Sequence, residues 1–154
     1  MREIIIDDQD SRESFENVYV RRAHYYETDQ MGIIHHSNYI RWFEEARLDF
    51  MEKIGCSYAA VEASGIMIPV LSASCQYKTM VHYNDVVDIY TEITHFNGVK
   101  MTIAYRVTDH ESGELRCTGE TSHCFLNSEY KPVRMKRTSP ELYNMLMSLS
   151  LIHI

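Results

Sequence analysis

The sequence predicts an α+β fold: a curled antiparallel sheet of about five strands wrapped around one long central helix, with a C-terminal helix. Three observations carry this. Between about residues 38 and 54 apolar side chains recur at helical spacing. After Gly65 the period falls to two and holds through four stretches joined mainly by short turns. There is no repeated βα alternation, no G-x-G-x-x-G and no P-loop, so the usual nucleotide-binding folds lack their warrant.

The elements follow in order. Residues 1–17 are mixed and charged, with a short apolar patch at Ile4–Ile6. Phe15, Val18 and Val20 lead through Tyr19 and Arg21 into a first strand over about residues 15–26. A polar loop, 27–37, holds Asp29, Gly32, His35 and His36; Gly32 suits a turn or a close backbone approach. The helix over about 38–54 has Tyr39, Phe43, Ala46, Phe50 and Ile54 on one face, with Trp42 beside them. Arg41, Glu45, Asp49 and Glu52 hold the opposite side, Arg41 and Glu45 at ion-pair spacing. Ser37 or Asn38 is placed to cap its start, and Gly55 to stop it. Tyr58 to Ala63 forms one further short helical turn.

A strand over 68–80 follows, with Pro69 near its start, where a missing donor is tolerable. The turn His-Tyr-Asn-Asp leads to a strand over 86–94, with Val87, Ile89 and Ile93 facing one way and Asp88 and Glu92 the other. Asn97-Gly98 reverses the chain into Val99, Met101, Ile103, Tyr105 and Val107, which alternate with polar residues. Residues 109–114 are a tight turn into a strand over 115–126, where Leu115, Cys117, Thr121, His123 and Phe125 share parity. Ser139-Pro140-Glu141 starts the last helix with a cap, a first-position proline and an acid in the first turn; Leu142, Met145, Leu146 and Leu149 form its apolar stripe.

At 154 residues the chain is a single domain, with 45% hydrophobic residues to build a core. The net charge of −7 argues against broad nucleic-acid binding, which needs a concentrated positive surface. No apolar run approaches the roughly 20 residues of a membrane span, and the start turns acidic too soon for a signal peptide. A soluble cytoplasmic protein without stable membrane insertion is the expectation. Cys56, Cys75, Cys117 and Cys124 form no C-x-x-C pair and are expected reduced and mostly buried. A sheet curled around one helix leaves edge strands that pairing across a dimer would hide.

The chemistry concentrates in the loop that leads into the long helix. Asp29 is a candidate base toward water or nucleophile toward an activated carbonyl; in isolation an aspartate there would simply cap a turn. A helix begins a few residues later, and its free N–H groups and positive dipole end suit a developing oxyanion. His35 and His36 either flank that carbonyl or pack at the helix start. A metal held by His24, His35, His36 and a carboxylate is conceivable, but no H-E-x-x-H occurs, and no metal is expected. Glu44 is either a second acid or a helix-surface residue. Trp42-Phe43 and His123 are read as core. Tyr58, Met67, Tyr77 and Met80 are candidates to shape a pocket.

Residues 25–47, YYETDQMGIIHHSNYIRWFEEAR, resemble the opening motif of hotdog-fold acyl-CoA thioesterases, specifically the 4-hydroxybenzoyl-CoA thioesterase-like group. The matching features are Thr28-Asp29, Gly32, His36, Asn38-Tyr39, Glu44 and Ala46-Arg47, and the likeness extends over roughly residues 15–130. The resemblance implies hydrolysis of an acyl-CoA thioester to free acid and coenzyme A, without a cofactor. It makes Asp29 the catalytic carboxylate and the backbone N–H at His36 the oxyanion donor, with the His36 side chain positioning substrate or water. Gly32, His35, Tyr39 and Glu44 become substrate-binding candidates. His35 stands where members often carry an aromatic residue, and Gln30-Met31 replaces a small pair. The resemblance further implies a homodimer or homotetramer with sites at the subunit interface and coenzyme phosphates on the outer surface, where Lys78, Lys131, Arg134, Lys136 and Arg137 are candidates. Two other readings use the same scaffold: an acyl-thioester dehydratase or hydratase relying on His35 or His36, and a non-catalytic acyl-thioester binding protein. The terminal LSLIHI carries no functional reading.

Overall fold

The structure, a computed structural model, describes residues 17–151. The Ile4–Ile6 patch, Phe15 and the last three residues of the terminal LSLIHI lie outside them. Five strands form one sheet: β1 (Asn17–Arg22), β2 (Val70–Tyr77), β3 (Val86–Phe96), β4 (Lys100–Asp109) and β5 (Leu115–Cys124). Their spatial order is β1-β3-β4-β5-β2, and every neighbouring pair is antiparallel. The long helix α1 (Ser37–Lys53) packs on one face; α2 (Tyr58–Ala63) follows it, and α3 (Met135–Thr138) and α4 (Pro140–Leu151) close the chain. This is the curled α+β arrangement expected. Among the described residues no helix is long and apolar enough to cross a membrane.

The register explains why the core lies where it does. Ile89 pairs with Val107, Ile93 with Ile103, and Ile103 with Thr121, which sets the inward parities of β3, β4 and β5 on one face. Ile89, Ile93, Ile103, Val107 and Cys117 are fully or almost fully buried there. The α1 stripe, Tyr39, Phe43, Ala46 and Phe50 with Trp42, is buried against them. Each such large side chain contributes about 1.5–3 kcal/mol on burial. Where β5 carries Gly119, the Phe43 ring of α1 occupies the place of a side chain and stacks on Tyr105 with centroids 4.4 Å apart.

Several local expectations are corrected. Ser37 and Asn38 are the first residues inside α1 rather than its cap; the cap position is His36, and no side chain bonds back from it. Asn38 is unavailable as a cap because its amide is drawn sideways onto the Glu27 carbonyl, 2.9 Å away. Glu45 accepts bonds from Arg21 and Tyr19 of β1, and no Arg41–Glu45 ion pair is present among the described residues. Val99 is exposed and precedes β4 rather than belonging to its buried face. The short α3 was not anticipated; Met135 is fully buried in it, and its N–H donates to the Gly98 carbonyl at 2.8 Å.

The edge strand β2 is exposed over most of its length, with Val70, Leu71 and Tyr77 each open to solvent. It runs along β5 with Val70 beside His123 and Tyr77 beside Cys117.

At Gly119 an added Cβ would collide with the Phe43 ring and lie 2.8 Å from the Ser74 carbonyl oxygen. Gly119→Ala is therefore expected to destabilise the fold by about 1–3 kcal/mol through overpacking. Chemical denaturation measures this; an unchanged midpoint would show that α1 is not seated at this point.

Candidate active site

The loop before α1 is built on Glu27. Its carboxylate is almost fully buried and accepts four bonds: from Arg21 Nη1 and Nη2 (2.9 Å each), Trp42 Nε1 (2.9 Å) and the His24 amide (2.8 Å). Burial pushes this carboxyl up, but the His24 amide, the Trp42 indole and the Arg21 guanidinium together outweigh it and hold it below the usual carboxylate range. Arg21 is also held by Glu45. The Glu27 carbonyl is used as well, accepting from the His35 amide at 2.9 Å and from Asn38 Nδ2.

Above that rung the chain makes a small hairpin. Thr28 bridges Ile34, the Asp29 amide donates to Ile33 (2.8 Å), and the Gly32 amide donates to Asp29 (3.1 Å). Gly32 turns the chain with φ +79°, a conformation that suits glycine. Asp29 is half-buried at the start of this turn. One of its oxygens accepts from the Met31 amide at 2.8 Å; the other has no hydrogen bond among the described residues.

Beyond His35 the helix begins. The His35 carbonyl accepts from the Asn38 amide at 3.0 Å, and the His35 imidazole accepts from the Ser37 amide at 3.2 Å. The His36 N–H makes no hydrogen bond among the described residues, so it remains a free donor at the positive end of a 17-residue helix. The Tyr77 hydroxyl donates to the His36 carbonyl at 3.2 Å, fastening this point to the end of β2.

Asp29, His36 and Tyr39 line one open cavity of about 420 Å³ with Tyr77, Lys78 and Met80. Burial raises the Tyr39 phenol to about 12, so its hydroxyl stays neutral. The other expected residues fall elsewhere. Gly32 shapes the turn, and His35 stacks on His36 at 4.1 Å; neither lines this cavity. Glu44 forms an ion pair with Arg47 at 2.9 Å and lines a separate, larger cavity of about 660 Å³. Tyr58 and Met67 line that second cavity, with Leu48 and Val61, so the four pocket candidates divide between the two. Of the basic candidates only Lys78 lies at the Asp29 cavity; Arg134, Lys136 and Arg137 gather near Gly98 and Tyr143. Sequence reading missed Glu27 and Arg21. The available signal was the arginine pair that ends the first strand, followed by an acid in the loop before a tryptophan-bearing helix.

Near the second cavity lies a buried polar row: Tyr105 and Thr121 hydroxyls 2.8 Å apart, and Thr121 Oγ1 2.8 Å from His123 Nε2. Burial, and then the Arg47 charge, push His123 down to about 4, partly offset by Glu44. His123 thus takes up a proton less readily when folded than at its ordinary value of 6.5, and the unfolded chain holds more protons in between. Stability should therefore fall as pH drops from about 6.5 toward about 4, and His123→Gln should flatten that part of the slope. Denaturation midpoints across this range test it; identical slopes in both proteins would contradict it.

The profile of the thioesterase-like superfamily matches residues 23–146. The chain is 33% identical over 118 residues to the putative acyl-CoA thioesterase YneP of Bacillus subtilis, covering 76% of this chain and 85% of that one. A crystal structure of a DHNA-CoA thioesterase from Staphylococcus aureus superposes with a TM-score of 0.84 at 33% identity, covering 89% of this chain and 92% of that one. A 1,4-dihydroxy-2-naphthoyl-CoA thioesterase from Synechocystis superposes at 0.77 with 18% identity, covering 88% and 98%, a likeness of fold.

Proposed function

The chain belongs to the thioesterase-like superfamily and is a thioester hydrolase; from that premise we propose that it hydrolyses an acyl-CoA to the free acid and coenzyme A, with Asp29 as the reacting carboxylate. The observation that carries this reading is that Asp29 and His36, the latter at the start of α1, line one cavity. The thioester carbonyl oxygen accepts from the His36 N–H, where the helix end stabilises negative charge as it develops. Asp29 then takes a proton from an attacking water, or itself attacks to give an anhydride that water cleaves. In either route the tetrahedral intermediate collapses and expels coenzyme A thiolate, a leaving group that needs no dedicated acid. The His36 side chain and Tyr39 position substrate and water, and Lys78, which lines the cavity, is the cation for a coenzyme phosphate. Gly32 and His35 shape the site from behind, through the turn and the ring contact with His36.

A second copy completes the site in this reading. If two β2 edges pair antiparallel, the Tyr77 end of one lies beside the Val70 end of the other. The Asp29 cavity contains Tyr77 and the Glu44 cavity contains Val70, so the pairing sets one copy's reacting groups against the other's apolar cavity. The acyl group enters that cavity, where Glu44 meets a polar substituent. The DHNA-CoA named for the Staphylococcus relative makes an aromatic acyl group the first to test. Sedimentation should return a dimer or a larger species; an active monomer would contradict this arrangement.

Thiol release from short, aromatic and long-chain acyl-CoAs should be readily measured with the parent, and Asp29→Asn should lower kcat by about 100-fold or more on the preferred substrate. Equal turnover by a folded Asp29→Asn variant would remove Asp29 from the mechanism.

A further inference from the structure

The buried acid of this region is Glu27, two residues before Asp29, and it touches no part of the cavity. Its carboxylate joins three elements: Arg21 on β1, Trp42 on α1 and the His24 amide. Its carbonyl, with the His35 amide, forms the rung that closes the hairpin 28–34, and with Asn38 it secures the first turn of α1. Asp29 stands two residues beyond one side of that rung, and His36 one residue beyond the other. The separation between carboxylate and oxyanion donor is therefore set by this rung, and the rung is held in place by the Glu27 side chain.

We propose that Glu27 is a positioning residue for thioester hydrolysis: clamped by Arg21, Trp42 and the His24 amide, it fixes where Asp29 and the His36 N–H stand relative to one another. This rests on the Asp29 reading above. A carboxylate suits the task better than an apolar residue. Its bonds are directional, the Arg21 fork meets it at two points, and rotation of the loop would strand a charge in the interior. Arg21 has a second acid partner, Glu45, which is half-buried, lies on α1 and makes no bond to the loop. The two acids share one arginine, and one of them holds the reacting groups. Removing either leaves the guanidinium paired, so both variants should fold.

The test compares Glu27→Gln, Glu45→Gln and Asp29→Asn for thermal stability, kcat and KM on the preferred acyl-CoA. Glu27→Gln should lower kcat by about 10- to 100-fold with KM within about twofold, as expected for small displacements of reacting groups. Glu45→Gln should lower the melting temperature while leaving kcat within about twofold. A Glu27→Gln loss of kcat no larger than that of Glu45→Gln, or an effect confined to KM, overturns the proposal. If Glu27→Gln does not fold, Trp42→Phe decides: it removes one donor to the same carboxylate, and unchanged kcat overturns the proposal. Full turnover by Asp29→Asn would bring down both readings. Loss with Asp29→Asn but not with Glu27→Gln would bring down the positioning role alone.

Discussion

A carboxylate cannot be buried in this fold without a full set of donors, and Glu27 obtains them from β1, the loop and α1. That requirement ties the end of β1, the loop and the start of α1 into one body. The long helix is seated from two directions, by Phe43 against Gly119 and Tyr105 on the sheet and by Trp42 against Glu27 at its first turns. Because the helix is fixed at that end, its free N–H group is available as a rigid donor rather than a fraying one. The half-buried Asp29 is then held at a turn whose own hydrogen bonds leave one oxygen open.

The two cavities follow from the strand order. Both lie toward the β2 edge of the sheet, one near Tyr77 and one near Val70. Within a single copy they sit toward opposite ends of β2, which separates Glu44 from Asp29. The exposed β2 edge stands apart from the core, which lies under β3, β4 and β5.

Much of this was legible in the sequence. The helical stripe from Tyr39 to Ile54 and the period-two runs of β3, β4 and β5 appear as expected, because packing on one face imposes those periods directly. The candidate loop stands out because Asp29, Gly32 and His36 are close in sequence and precede a helix, and the fold sets Asp29 and His36 on one cavity. What could not be read were long-range partners. Glu45 looks like a partner for Arg41 along the helix, but Arg21 and Tyr19 reach it from β1, and no local spacing records that. Glu27 reads as an ordinary loop acid until Arg21 and Trp42 are folded around it. Asn38 looks like a cap, yet it serves a carbonyl 11 residues earlier. The four-residue α3 has too few positions to show a period. Glu44 lies eight residues after His36, more than two helical turns on, and lines the other cavity.

The most direct measurement is a crystal structure of the protein with a non-hydrolysable acyl-CoA analogue. The acyl carbonyl oxygen should lie within hydrogen-bonding distance of the His36 N–H, with the Asp29 carboxylate against the carbonyl carbon. The acyl group should lie in the Glu44 cavity of a second copy. A carbonyl bound away from the start of α1, or an acyl group held wholly within one copy, would contradict it.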